Sequence, residues 1–253
     1  MHKLRAPGGC PWDAEQTHAS LKPYVIEEAH EVCDAIDSGD DRALADELGD
    51  VLLQVVFHAE LASERRAFGV EDVVDRLNAK LIRRHPHVFA GATAETSADV
   101  LANWTKIKRE ERNLAEEADA GAEPKGVLAG IPRTMPALLR AHRLGERAAA
   151  VGFDWKNAAG VRDKIREELE EIVAAESDPA PERVLEEIGD ALFALASYAR
   201  HRAANAEMVL HAALDRFQQR FARMEKELSA RGLRVEELDD ATLDDAWQRA
   251  KRP

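Results

Sequence analysis

In "YVIEEAHEVCDAI", residues 24–36, Glu27, Glu28 and Glu31 crowd one and a half turns of an apolar-periodic segment, and Glu47 and Asp50 follow in "DELGDV". Like charges at helical spacing cost stability, so acids pressed against an apolar stripe call for a compensating cation. On a helical wheel Val25, Ala29, Val32 and Ile36 form the core stripe of a first helix; Glu28 sits just beside it, Glu31 beyond, and Glu27 further round. On the next helix Leu44, Leu48, Val51 and Val55 form the stripe, with Glu47 and Asp50 at the same flanking angles. The short "DSGDD" connection makes the two helices antiparallel neighbours, so Glu28, Glu31, Glu47 and Asp50 converge in one cleft. Four carboxylates in a partly dry cleft need a cation or extra protons. Oxygen donors without Cys or His select Mg²⁺ or Mn²⁺.

A single "EExxE" is more often a solvated face than a metal site; repetition changes that balance. "IEEAHEV" (26–32) matches "REELEEI" (166–172), and "DELGDVLLQV" (46–55) matches "EEIGDALFAL" (186–195). Glu27, Glu28, Glu31, Glu47 and Asp50 align in one unbroken register with Glu167, Glu168, Glu171, Glu187 and Asp190. Lys80 and Arg84 of "KLIRRHPHVF" find counterparts in Arg216 and Arg220, and each half closes on a Trp followed by alternating basic residues, "WTKIK" from Trp104 and "WQRAK" from Trp247. A di-iron site is disfavoured: it needs E-x-x-H on two helices, and Glu170 stands where the first half has His30.

These residues require helices to carry them. The composition, 45% hydrophobic, 33% charged and only 5% aromatic, favours an all-α chain with very little strand. Four helices are expected per half: about 21–36, 42–64, 70–84 and 98–114 in the first, and 162–175, 181–205, 206–230 and 243–251 in the second. Gly39 suits a left-handed C-cap, and Asp40 or Asp41 the following N-cap. The acidic, small-residue stretch 115–126 reads as a linker, giving repeats over 1–114 and 127–253. The segment "IPRTMPALLRAHRLGERAAAVGFDW" could pack on either half. Cys33 reads as a small core residue, and two cysteines without partner spacing give neither a disulfide framework nor a zinc site. After Asp50 and Asp190 the second helices become apolar on all sides, "VLLQVVF" and "ALFALASY", which a lone hairpin cannot bury; a partner subunit is expected to cover them.

A formal charge of −13 opposes coating by nucleic acid. The N-terminus lacks an apolar targeting core and no run is long enough to span a bilayer, so a soluble, cytoplasmic protein without membrane attachment is expected. Carboxylate-bound magnesium commonly clamps substrate phosphates. Lys80, Arg83, Arg84, Lys106 and Lys108, and in the second half Arg216, Arg220, Arg249 and Lys251, are candidate phosphate contacts, each read alone more simply as a solvated helix face. Trp104 and Trp247 fit base stacking and core packing equally well.

The paired "EExxE" and "ExxD", together with "GGCPWDAEQTHASLKPYVIEEAHEV", "KLIRRHPHVF" and "GFDW", closely resemble the MazG family of bacterial nucleoside triphosphate pyrophosphohydrolases, over nearly the whole chain. The resemblance implies an all-α fold of two tandem MazG-like repeats and a homodimer in which helices of both subunits complete each four-helix core. It also implies Mg²⁺-dependent hydrolysis of (d)NTPs to (d)NMP and pyrophosphate, with metal ligands at Glu28, Glu31, Glu47, Asp50, Glu168, Glu171, Glu187 and Asp190. On that reading Glu27, and Glu167 by repeat, is a water-orienting base or a surface acid. Asn78, present two residues before Lys80, joins the substrate contacts; the second half has Leu214 before Arg216, so the N-terminal site is expected to turn over faster. Broad base tolerance and nucleotide-pool house-cleaning are expected, with a dUTP-preferring diphosphatase and a non-catalytic nucleotide-binding helical dimer as the rival readings.

Overall fold

The computed structural model describes residues 1–97, 99–100, 103–104, 106–107, 110–111 and 126–252. All regular structure among the described residues is helical, and the chain divides into two compact units, Met1–Asn113 and Leu114–Pro253. The expected linker falls almost entirely outside the described residues, as do Lys108 and both ends of the expected 98–114 helix; the residues described from 97 to 111 are helical.

In the first unit two short helices, α1 (His2–Arg5) and α2 (Pro11–Glu15), precede the hairpin of α3 (Lys22–Ser38) and α4 (Asp41–Glu64), followed by α5 (Val70–Arg84) and α6 (Pro86–Phe89). The hairpin turn is written locally. Gly39 takes the left-handed conformation at φ +70°, which costs glycine nothing, and the Asp40 carboxylate accepts from the amides of Arg42 and Ala43 at 2.9 and 3.3 Å. Of the two candidate caps, Asp40 is the one used. At the far end of α4, Leu21, Phe57 and Leu61 are buried with Met1 packed on them. Arg5 forks onto Glu64 at 2.6 and 2.9 Å, tying the N-terminal segment to α4.

The expected core stripes are not core within one chain. Val25 is 41% exposed, Ile36 58%, Leu48 51% and Val55 40%, and Cys33 is exposed rather than buried. Two helices share only one mutual face, and a wheel reports which residues form a stripe, not what lies over it.

In the second unit, α7 (Ala137–Ala149) packs against α9 (Glu182–His201) and α10 (Ala206–Ala230); α8 (Ala158–Ala175) forms a hairpin with α9, and α11 (Asp240–Ala250) packs on α10. The sequence reading did not assign α7 as a helix, and the structure places it in this unit. Three boundaries move because polar caps set them. Asn157 accepts from Ala159 and Gly160 and starts α8 four residues before the expected Arg162; Asn205 caps α10 instead of ending α9; Asp239 starts α11 ahead of Leu243. Gly145 of α7 is required by proximity, since a Cβ there would meet the Arg200 side chain at 2.8 Å. Met224, Leu228, Ala246 and Ala250 form the core between α10 and α11, with Trp247 and Phe221 packed on it.

The "GFDW" motif is a clamp. Asp154 accepts both guanidinium nitrogens of Arg200 at 2.9 and 2.6 Å and lies 3.0 Å from a ring nitrogen of His201. The Arg200 hydrogen bonds, then His201, pull the Asp154 carboxyl down to about 2 from its ordinary 3.8. A depressed carboxyl contributes stability above its unfolded pKa and loses it as pH falls through the folded value. Asp154→Asn should therefore lower stability by on the order of 1–2 kcal/mol at pH 7, with the difference from wild type closing between about pH 4 and pH 2 in denaturant melts.

Candidate functional site

The α3–α4 hairpin places one ligand oxygen each from Glu28, Glu47 and Asp50 within 4.8 Å of one another. Glu31 adjoins this set, and its charge bears on both Glu28 and Glu47. Partial burial first, then the Asp50 and Glu31 charges, push the Glu28 carboxyl above its ordinary 4.5. Burial, then Glu31, Asp50 and Asp46, push Glu47 the same way. Among the described residues no Lys, Arg or His forms an ion pair with any of Glu28, Glu31, Glu47 or Asp50.

The α8–α9 hairpin gathers Glu168, Glu171 and Glu187 within the same 4.8 Å limit, leaving Asp190 exposed and outside the group. Each half thus closes three of its four expected ligands, Glu31 lying beside the first set and Asp190 apart from the second. Glu168 is the most enclosed of the acids, 4% exposed as a residue, and its Oε2 is buried with no hydrogen-bond partner. Burial raises the Glu171 carboxyl, the Lys164 charge opposes that shift, and Glu168 and Glu187 add to it. Cations reach this cluster: Lys164 Nζ lies 2.7 Å from Glu167, 2.8 Å from Glu168 and 3.9 Å from Glu171, and Arg183 lies 3.5 Å from Glu187. Neither cation was singled out in the sequence, although both stand one helical turn from an acid, a spacing that pairs opposite charges.

The donor chemistry suits a hard divalent cation. An octahedral ion with oxygens at about 2.1 Å places neighbouring ligands about 3 Å apart and opposite ones about 4.2 Å apart, compatible with the observed ceiling. The orphaned Oε2 of Glu168 is an acceptor aimed at a missing partner, as such a site requires.

The expected phosphate and base contacts are arranged less uniformly. Glu111 ties down both Arg83 and Arg84, at 2.6 and 2.7 Å, and the Arg84 hydrogen bond is the main cause of its carboxyl falling to about 2. Lys80 lines a groove of about 730 Å³ with Val55, Phe68, Val73, Arg76 and Leu77. Asn78 is exposed on α5, and Lys106 lies 4.0 Å from Glu110. Trp104 meets His85 edge-on at 5.1 Å. In the second unit Trp247 lies against Phe217 at 5.2 Å with Lys251 Nζ 5.7 Å from its ring, on a groove of about 350 Å³. Arg216 is exposed, Arg220 is half-buried, and Arg249 pairs with Glu227 at 2.8 Å. Glu27 is exposed and Glu167 is held by Lys164. Glu111 was missed in the sequence because it meets Arg84 only through tertiary structure, 27 residues away.

Comparison with known proteins places the whole chain. Residues 16–89, which hold the first cluster, match the MazG nucleotide pyrophosphohydrolase domain. The chain is 45% identical over 255 residues to the nucleoside triphosphate pyrophosphohydrolase of Escherichia coli strain K12, covering 100% of this chain and 94% of that one. It is likewise 45% identical over 251 residues to the Thermotoga maritima nucleoside triphosphate pyrophosphohydrolase/pyrophosphatase MazG, covering 99% and 92%. It is 40% identical over 155 residues, 60% of this chain and 44% of the other, to the Mycobacterium tuberculosis nucleoside triphosphate pyrophosphohydrolase. Likeness at this level along the whole length, with the acidic hairpins in place, makes the chain a member of the MazG nucleotide pyrophosphohydrolase family.

Proposed function

We propose that the chain is a nucleoside triphosphate pyrophosphohydrolase that uses Mg²⁺, or Mn²⁺ in its place, to convert (d)NTPs and water to (d)NMP and pyrophosphate. The observation that carries this reading is the convergence of Glu28, Glu47 and Asp50 in a chain 45% identical along its length to enzymes of that name. Water supplies its oxygen to one phosphorus of the α–β bridge and the P–O bond from that phosphorus to the bridging oxygen breaks, giving (d)NMP and pyrophosphate. A divalent ion in the cluster supplies charge neutralisation and a water of lowered pKa. The remaining work falls to side chains. Glu28, Glu31, Glu47 and Asp50 fix the ion. Lys80, Asn78 and the Arg83–Arg84 pair orient the phosphates, with Lys106 and Lys108 beyond them, while Glu27 orients the water and accepts its proton. Trp104 walls the base, and stacking reads every base alike, so the base range is broad. Glu168, Glu171, Glu187 and Asp190, with Glu167, Arg216, Arg220, Trp247 and Lys251, form the second such site in a tandem repeat; the N-terminal site, which has Asn78, turns over faster.

The active form is a homodimer. Leu48, Leu52, Leu53 and Val55 of α4 in the first unit, and Leu192, Phe193 and Leu195 of α9 in the second, are 40–60% exposed, so each unit carries its own uncovered apolar helix face. A second copy covers these faces and completes each four-helix core. The cellular role is cleansing of the nucleotide pool in the cytoplasm; no described helix is long and apolar enough to cross a membrane.

A panel of (d)NTPs, with products identified, tests the activity. We expect monophosphate and pyrophosphate from several bases with Mg²⁺ and none with EDTA. Turnover confined to dUTP would mark a dUTP diphosphatase; nucleotide-dependent thermal stabilisation without turnover would mark a binding module. Glu47→Gln should reduce pyrophosphate release by at least tenfold and more than Glu187→Gln does; the opposite order would place the faster site in the second half. Leu52→Lys should shift the sedimenting species from dimer to monomer and remove activity with it.

The metal should also set the pH dependence of stability. The raised pKa values of Glu28 and Glu47 mean that protonation favours the folded chain below their ordinary 4.5, and that contribution is lost as pH rises through the raised values. At neutral pH a divalent ion takes over the protons' role. The rise in Tm on adding Mg²⁺ should be larger at pH 7.5 than at pH 5; an equal rise at both would contradict binding at these acids.

A further inference from the structure

Along α4, beyond the acids, His58 meets His18, which lies in the turn leading into α3. Reciprocal hydrogen bonds between Thr17 and Ser20, at 2.9 and 3.1 Å, close that turn, and Leu21 beside it is buried against Phe57 and Leu61. The Nδ1 atoms of the two histidines are 2.8 Å apart, their rings are inclined by 7° and the ring centroids are 5.1 Å apart. That centroid separation matches the nitrogen–nitrogen distance plus one ring radius at each end, so the rings lie head-on in one plane, joined by an N–H···N hydrogen bond. Arg65 sits 3.0 Å from the Nε2 of His18. A guanidinium only donates, which fixes the protons along the chain: Arg65 donates to His18 Nε2, His18 Nδ1–H donates to His58 Nδ1, and His58 carries its hydrogen on Nε2.

We propose that Arg65, His18 and His58 form an acid-sensitive latch, which holds the turn before α3 on α4 while both rings are neutral and releases it when either ring gains a proton. A proton added to His58 Nδ1 faces the N–H of His18, and one added to His18 Nε2 faces the guanidinium. Either replaces an attraction by a repulsion. The surroundings offer an imidazolium no compensation. Among the described residues neither ring forms an ion pair with an acid: Glu60 is taken by His2 of α1, and Glu64 by Arg5, whose guanidinium also donates to the carbonyl of Asp13 in α2. The first turn of α3 adds one charged side chain, Lys22, and the phenol of Tyr24, both exposed. Burial first, then the His18 charge, lowers the His58 pKa from its ordinary 6.5, in keeping with a ring held neutral. A lowered histidine contributes its full stability above the unfolded pKa and loses it as pH falls through the folded value, so the latch weakens below about pH 6.5. Because α3 carries Glu28 and Glu31, the latch governs the seating of the helix that brings those acids to α4.

Thermal melts of the full chain at about pH 7.5 and pH 5.5 test the latch through His58→Asn, whose side-chain oxygen accepts from His18 Nδ1–H in place of the ring nitrogen but takes up no proton. At the higher pH the variant should melt near wild type. On acidification wild type should lose on the order of 3 °C more than the variant, a difference that isolates this pair from the chain's other histidines. An equal loss in both would overturn the proposal. Imidazole ¹⁵N shifts of the wild-type chain decide the matter even if the variant folds poorly. At neutral pH His18 should carry its hydrogen on Nδ1 and His58 on Nε2, with His58 taking up its proton below the ordinary histidine range. The reverse pair of tautomers, or a charged ring at about pH 7.5, would equally contradict the latch. Neither measurement involves a metal ion or a nucleotide, so the outcome is independent of the proposed activity.

Discussion

The gathering of carboxylates in partly buried positions organises this molecule. Each long hairpin brings together acids whose burial and mutual charge oppose folding of the hairpin that carries them, and in the first unit burial first, then the neighbouring acids, hold the Glu28 and Glu47 carboxyls above their ordinary range. A chain keeps such an arrangement only when something positive repays it. In the second unit part of that charge is internal, from Lys164 and Arg183; in the first, no ion pair reaches the acids among the described residues. The same acids that destabilise the empty hairpin are the donors that a hard cation needs, so the site's cost and its chemistry are one property.

The scaffold answers this constraint by fixing the ends of the hairpins. The Gly39 and Asp40 turn sets the start of α4, Asn157 the start of α8, and the Asp154–Arg200 clamp the far end of α9. Clusters of larger buried apolar residues stand at Leu21, Phe57 and Leu61 in the first unit and at Met224 and Leu228 in the second. Between these anchors the middle of each hairpin is apolar and uncovered, which suits a surface that a second subunit completes.

Much of this was legible in the sequence, for reasons that differ by residue. Helix α10, Ala206–Ala230, falls on its expected bounds because a capping Asn and an uninterrupted periodic run are local signals. The gathering of acids was legible because acids beside a stripe violate a local rule, twice, in register. Cys33 and the stripe residues Val25, Ile36 and Leu48 were assigned to a core that one chain does not form, since periodicity identifies an apolar face and is silent about its cover. Helix α7 passed unassigned because its "ALLRAHRLGERAA" interleaves charge with Leu directly after two closely spaced prolines, and only its packing on α9 and α10 gives it a place. Glu111, which pairs with Arg83 and Arg84, could not be foreseen, because ion pairing to Arg84 across 27 residues is a product of the fold.

The most direct measurement is an anomalous difference map from crystals soaked in Mn²⁺. This account requires a peak about 2.1–2.2 Å from the carboxylate oxygens of Glu28, Glu47 and Asp50, and a second one at Glu168, Glu171 and Glu187. Crystals with both clusters open to solvent and no anomalous density at either would contradict it.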